Sequence, residues 1–288
     1  MIRRDFLKTI PLAASAPLFV HIPSLLLEDD DAVICSKKFE LAASLSLRSK
    51  QIGDIVVEMG KTFLGTEYVA NTLEQPGDEH LVINLRGLDC VSFYENSLVF
   101  ARCIKKGKTS LEDYKAELQF IRYRSGIING YPSRLHYSSD YFYDNEIKKV
   151  LKNVTKSVGG VRYKKTINFM STHPDSYRQL KDHQEFIKII AEQEAAINKR
   201  PLYHLPKEAV KKAAPKIHNG DILAITTEIP GMDVSHTGIA LWQDNQLHLL
   251  HAPITGSRVQ ITEKPLAEYL AANSKQLGIM VARPVEPA

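Results

Sequence analysis

The stretch Leu85-Arg86-Gly87-Leu88-Asp89-Cys90-Val91-Ser92-Phe93-Tyr94-Glu95-Asn96 joins a helix start to a cysteine. Asp89 reads as an N-cap, and apolar residues follow at helical spacing: Phe93, Tyr94, Leu98, Val99, Ala101 and Ile104. Cys90 therefore falls in the first turn, where unpaired backbone N–H groups and the positive end of the helix dipole favour a thiolate. A cysteine within a helix is most often a small buried apolar residue. Cys103, among Phe100, Ala101 and Ile104, fits that description. Cys90 differs, because a polar cap and a glycine-containing loop place it at an element end, where function concentrates.

A nucleophilic thiol needs a base, a group that orients the base, and an oxyanion donor. The base candidate lies far downstream in Asp233-Val234-Ser235-His236-Thr237-Gly238-Ile239-Ala240-Leu241. Cysteine first and histidine on a late strand is the order of a papain-like thiol hydrolase. The turn Gln243-Asp244-Asn245 folds the chain back, so residues near 251 pair beside 237–239. His248 and His251 both lie on that returning strand. Their odd spacing turns them to opposite faces, and His251, at the strand end before Ala252-Pro253, is the preferred orienter. The Cys90 N–H is the expected oxyanion donor, and the Tyr68 hydroxyl is placed to assist.

The 288 residues are 44% apolar and 24% charged, enough for a sizeable core in one or two domains. A net charge of +4, with interspersed signs, is too mild for a nucleic-acid partner and suits an anionic polymer such as cell wall. No basic cluster alternates with aromatics. Three cysteines do not make a disulfide scaffold. Cys90 and Cys103, on one helix, would lie about 20 Å apart, so all three thiols are expected to be free.

Met1-Ile2-Arg3-Arg4-Asp5-Phe6-Leu7-Lys8 precedes a short apolar run, Ile10 to Val20, that contains small residues. This reads as a signal peptide of twin-arginine type, and hence as an exported, periplasmic chain with no stable membrane insertion after its removal. Residues 1–27 are taken as signal and linker, with Glu28 to Asp31 exposed. Residues 28–288 are taken as one domain. Helical periodicity covers Phe39 to Leu64, then 111–123 and 177–198. Leu81 to Leu85 alternates as a strand. From Ile217 the chain becomes β, with strands at 222–225, 236–242, 247–251, 258–261 and 278–283. Helices before an antiparallel sheet give an α+β class. Two irregular stretches, around 129–137 and 167–174, have the length of binding loops.

Gly65-Thr66-Glu67-Tyr68-Val69, Asn84 to Cys90, Gly220-Asp221-Ile222, Ser235 to Ile239 and His251-Ala252 resemble the NlpC-type papain-like cell-wall hydrolases. The longer signatures are Asn84 to Cys90, Gly130-Tyr131-Pro132-Ser133-Arg134-Leu135-His136-Tyr137 and Ile167-Asn168-Phe169-Met170-Ser171-Thr172-His173. They are similar to one branch, the N-acetylmuramoyl-L-alanine amidase-like family. The resemblance spans roughly residue 50 to the C-terminus. It implies N-terminal helices packed on an antiparallel sheet, with a helical and loop insertion at about 108–215.

The resemblance further implies that Cys90, His236 and His251 are nucleophile, base and orienter, and that Tyr68 is a site tyrosine. The insertion would shape the substrate site, with Arg134 taking a carboxylate bidentately and Ser92, Asn168 and Ser171 as further contacts. Val91 stands where many members of the wider superfamily carry serine, which agrees with the amidase branch. The implied reaction cuts the amide between N-acetylmuramic acid and L-alanine in peptidoglycan fragments (muropeptides), by a monomer without cofactor or metal. Two readings compete: a γ-D-glutamyl endopeptidase of the stem peptide, and a catalytically silent wall-binding protein. A zinc site of Cys90, His236 and His251 would lack the paired-cysteine spacing of such sites.

Overall fold

A computed structural model describes residues 24–288, and side chains from residue 30 onward. The signal-like segment lies outside the described residues. In chain order the elements are α1 (Ser24–Ser44), α2 (Ile52–Lys61), β1 (Glu67–Tyr68), β2 (Gly87–Leu88), α3 (Cys90–Lys106) and α4 (Leu111–Arg122). Then come α5 (Ser138–Ile147), β3 (Leu151–Asn153), β4 (Val161–Arg162), α6 (Phe169–Thr172), α7 (Arg178–Asp182), α8 (Gln184–Lys199), β5 (Tyr203–Pro206) and α9 (Lys207–Ala213). The chain closes with β6 (Ile222–Thr227), β7 (Val234–Gln243), β8 (Gln246–His251), β9 (Gln260–Ile261), α10 (Leu266–Ala271) and β10 (Gln276–Pro284).

The main sheet is antiparallel and runs β4-β5-β10-β6-β7-β8-β9, with β3 also on β10. Its central strands are buried on both faces, which is why 222–225 reads as a continuous apolar run rather than an alternating one. Ile222, Ala224, Ile239, Leu241, Leu250 and Met280 face the layer of α2, α3 and α4. Leu223, Ile225, Ala240, Leu249 and Ile279 face α9 and α10. The class is therefore mixed α+β with an antiparallel sheet, as the order of elements in the sequence implied.

Helix α3 begins at Cys90 because the Asp89 carboxylate accepts the N–H groups of Val91 and Ser92 at 3.0 and 2.7 Å. The Ser92 hydroxyl returns to the Asp89 N–H at 2.9 Å and completes a capping box. The helix ends at Gly107, whose φ of 67° is the left-handed conformation of a C-terminal glycine.

Four expectations are corrected. Residues 39–64 form two helices separated by a short 3-10 turn at Leu47–Ser49. The acidic run is part of α1 rather than a linker, and Asp31 is buried, accepting the Leu85 N–H at 3.0 Å and the Arg86 Nε at 3.2 Å. Leu81 to Leu85 is no strand. Its neighbourhood hydrogen-bonds to side chains: the Asn84 Oδ1 accepts the N–H groups of Arg86 and Gly87. The strand is the next pair, Gly87–Leu88, parallel to Glu67–Tyr68. The stretch 108–215 is woven into the sheet, since β3 and β5 both pair with β10. A smaller core of Tyr131, Tyr137, Ile167, Met170, Leu180, Ile190 and Ile197 holds the remainder of it together. No described helix is long and apolar enough to cross a membrane.

Candidate active site

Three elements meet at Cys90. The start of α3 supplies the thiol, the start of β7 supplies His236, and the end of β8 supplies His251. Cys90 and His236 line one cavity of about 180 Å³, together with Glu74, Tyr131, His136, Tyr177 and Asp233. The Thr237 hydroxyl donates to the Cys90 carbonyl at 2.8 Å and fastens β7 to α3 at this point.

The register Ile239↔Leu250 and Ala240↔Leu249 brings His251 opposite Gly238. A Cβ at Gly238 would stand 2.8 Å from the Leu250 carbonyl oxygen and 3.0 Å from the His251 Cβ, so only glycine leaves room for the imidazole. His236 Nε2 and His251 Nδ1 are 2.8 Å apart. Only one of the two possible proton placements leaves His236 a base toward the cavity. His236 Nε2–H must donate to His251 Nδ1, so that His236 Nδ1 is unprotonated. His248, by contrast, turns away and bonds the Thr262 carbonyl at 2.8 Å.

The electrostatics correct one expectation. The helix start favours a thiolate, yet burial, followed by the Asp89 carboxylate, pushes the Cys90 thiol up to about 11. Hydrogen bonds from Thr237 recover only part of that rise. Burial brings His236 down to about 4. Burial and the neighbouring His236 bring His251 to about 3. The resting pair is thus neutral thiol and neutral imidazole. His251 Nε2 is buried without a hydrogen-bond partner.

The remaining candidates are placed unequally. Tyr68 lies close enough for the charges of Cys90 and Asp89, after burial, to raise its phenol. Ser92 is the third-position partner of the Asp89 capping box, its hydroxyl donating to Asp89 Oδ1 at 2.8 Å. Arg134 does not face the cavity. It is buried and engaged by the Leu73 carbonyl at 2.7 Å, by Glu74, and by Glu79 with Nε at 3.6 Å. Asn168 precedes α6 and Ser171 lies within it, both outside the cavity lining: the Asn168 carbonyl accepts from the Thr172 hydroxyl at 2.6 Å, and the Ser171 N–H donates to Glu194 at 3.1 Å. Their neighbours Phe169 and Met170 form wall instead. Sequence reasoning missed Glu74 and Tyr177, which loop packing brings to this cavity, and gave no role to Asp233, which opens the quoted His236 stretch directly before β7. Tyr131, His136 and Tyr137 lay within a signature already singled out, but no role was given to them. All three cysteines are free. Among the described residues no cluster of three or more His, Cys, Asp or Glu is placed to hold a metal.

A half-buried cysteine at a helix start thus shares a cavity with a histidine that is in hydrogen-bond contact with a second histidine. Residues 58–279 match the model of the AmiA-like, N-acetylmuramoyl-L-alanine amidase-like family, and the chain belongs to that family. Among solved structures, an N-acetylmuramoyl-L-alanine amidase from Bacteroides uniformis is 37% identical with a TM-score of 0.77, over 82% of this chain and 100% of that one. A putative xylanase from Bacteroides fragilis is 39% identical with a TM-score of 0.75, over 78% and 99%. A Legionella pneumophila protein, 22% identical with a TM-score of 0.71 over 91% and 97%, shares the fold. No curated protein matches the chain.

Proposed function

We propose that this chain is a thiol amidase of the papain-like NlpC-type superfamily, acting on muropeptides in the periplasm after export. It would hydrolyse the amide between N-acetylmuramic acid and L-alanine. The observation that carries the reading is the His236–His251 contact of 2.8 Å beside a cavity that also holds Cys90. The family and the Bacteroides uniformis relative, named for this amidase activity, support the choice of bond.

In the reaction, the substrate lactyl carbonyl lies over Cys90. His236 takes the thiol proton as the sulfur attacks, and a muramoyl thioester forms while His236 returns the proton to the leaving alanine nitrogen. Water, activated by the same imidazole, releases the sugar acid. His251 holds the His236 tautomer throughout. The Cys90 N–H, left over at the helix start, faces the developing oxyanion. A neutral resting pair suits this scheme, since proton transfer accompanies attack.

Incubation of the protein with N-acetylmuramoyl-tripeptide and mass analysis of the products tests the bond. Intact tripeptide and free N-acetylmuramic acid are expected. Cleavage within the peptide would assign a γ-D-glutamyl endopeptidase, and no turnover of any muropeptide would leave a wall-binding protein.

A further inference from the structure

His251 has two ring nitrogens, and only one has a hydrogen-bond partner among the described residues. Nδ1 lies 2.8 Å from His236 Nε2. Nε2 is buried and bonds nothing, in a residue that is only 1% exposed. Thr255 and Gln260 share a small cavity with both histidines, yet neither is bonded to this nitrogen.

The proton count gives that missing partner a meaning. Burial and the neighbouring His236 lower His251 to about 3, so it is neutral at ordinary pH and carries one ring proton. With His236 Nε2–H donating to His251 Nδ1, that proton must sit on His251 Nε2. A buried N–H without an acceptor is unfavourable. In the opposite placement His251 Nδ1–H donates to His236 Nε2. His251 Nε2 is then a lone pair, and His236 carries its proton on Nδ1 and is no base toward the cavity. The group facing His251 Nε2 therefore chooses between a competent and an incompetent His236.

Besides His236, the ring packed against His251 is Tyr269, with centroids 5.5 Å apart and planes at 87°. In such an edge-to-face pair the positive edge of one ring meets the negative face of the other. The Nδ1 edge of His251 is taken by His236, which leaves the Nε2 edge for the Tyr269 face. That face accepts an N–H weakly and repels a lone pair. Tyr269 is held in place: its neighbours Leu266 and Leu270 anchor α10 in the core beneath the sheet, and Gln276 stands beside its hydroxyl. We propose that Tyr269 is a positioning residue whose ring face receives His251 Nε2–H, fixes the His251 tautomer, and so keeps His236 Nδ1 open to the Cys90 proton. The proposal rests on His236 acting as the base in the thiol amidase reading, and it adds a fourth member that touches neither substrate nor sulfur.

The test is the nitrogen–proton correlation spectrum of the histidine rings in the unaltered chain, Tyr269→Phe and Tyr269→Leu. In the unaltered chain the His251 proton should sit on Nε2 and be displaced upfield by the Tyr269 ring current. Tyr269→Phe keeps the face and should keep both signatures, whereas Tyr269→Leu should lose the displacement and gain the Nδ1–H form. For N-acetylmuramoyl-tripeptide, kcat should stay within about twofold in Tyr269→Phe and fall about fivefold or more in Tyr269→Leu, with KM unchanged in both. A His251 proton on Nδ1, or an Nε2–H without upfield displacement, in the unaltered chain overturns the proposal. So does a Tyr269→Leu protein with unaltered spectra or kcat, or a Tyr269→Phe protein that loses as much kcat as Tyr269→Leu. If Tyr269→Leu does not fold, the spectra of the other two proteins decide. The spectra need no substrate. Absence of cleavage between muramic acid and alanine would therefore sink the amidase reading, while the His251 proton still decides the role of Tyr269.

Discussion

Two opposing influences act on the Cys90 sulfur. The start of α3 and the hydrogen bonds of Thr237 favour the anion, whereas burial and the Asp89 carboxylate oppose it and prevail, holding the thiol near 11. At neutral pH only about one thiol in 10⁴ is ionised. Alkylation of Cys90 by iodoacetamide should therefore quicken about tenfold per pH unit from pH 6 to 10. Asp89→Asn keeps a capping side chain and removes the charge, so it should speed alkylation at pH 8. A rate flat from pH 5 upward would instead show a preformed thiolate–imidazolium pair. His251→Ala should lower kcat about 10²–10⁴-fold with little change in KM, and His251→Asn should restore part of the loss by offering an acceptor to His236. Equal kcat in all three proteins would remove His251 from the mechanism. At this scale, the closeness of His236 and His251 was legible from strand parity, and the shared cavity of Cys90 and His236 agrees with the order of the motifs. Arg134 was misread as a substrate ligand, because its partners Glu74 and Glu79 lie some 55–60 residues away in a loop whose packing no local pattern signals.

Among the elements, β7 and β8 set the geometry of His236 and His251, and Gly238 lies where a Cβ would not fit between them. Gly238→Ala would drive a methyl group against the Leu250 carbonyl and His251. It should cost about 1–3 kcal/mol of stability and reduce activity beyond what the lost stability explains. Denaturant unfolding of the variant alongside its kcat checks both parts. Helix α1, outside the matched family region, holds the loop before Cys90 through Asp31. Asp31→Ala leaves the Leu85 N–H without its acceptor and should destabilise the protein by about 1–3 kcal/mol. The helix at 111–123 and the hairpin around Asp244 and Asn245, both with positive φ, were legible in the sequence, whereas the breaks within 39–64 and 177–198 were not. The Leu81–Leu85 strand was not there to be read, since an alternating pattern does not reveal that Asp31 and Asn84 side chains capture the backbone donors nearby.

For the molecule as a whole, the sheet buried on both faces supplies the rigid frame, and three desolvated histidines, of which His251 is fully buried, give it an acid sensitivity. His136 and His251 sit near 3 and His236 near 4, all below the value of about 6.5 expected in the unfolded chain. Between those values the unfolded chain binds more protons. The stabilisation is complete above pH 6.5 and is lost as pH falls through 6.5 toward 4 and then 3. Each pH unit is worth about 1.4 kcal/mol per fully shifted site. The melting temperature should accordingly hold from pH 8 to 6.5 and fall steeply below it, and His136→Gln should flatten that fall. A melting temperature constant from pH 7 to 4 would contradict neutral burial of these imidazoles. The antiparallel α+β class was visible in the order of elements. The pairing of β3 and β5 with β10 was not, because two short strands embedded in loops carry too little pattern to separate from their surroundings.

The central claim is that Cys90 attacks the muramoyl carbonyl. Its most direct test is the mass of the protein quenched in acid during turnover of N-acetylmuramoyl-tripeptide, followed by digestion to locate any adduct. The account predicts a thioester on Cys90 whose added mass is that of N-acetylmuramic acid less water, absent from Cys90→Ser, which should also show no turnover. An adduct that retains alanine, or undiminished turnover after Cys90 is alkylated, would contradict it.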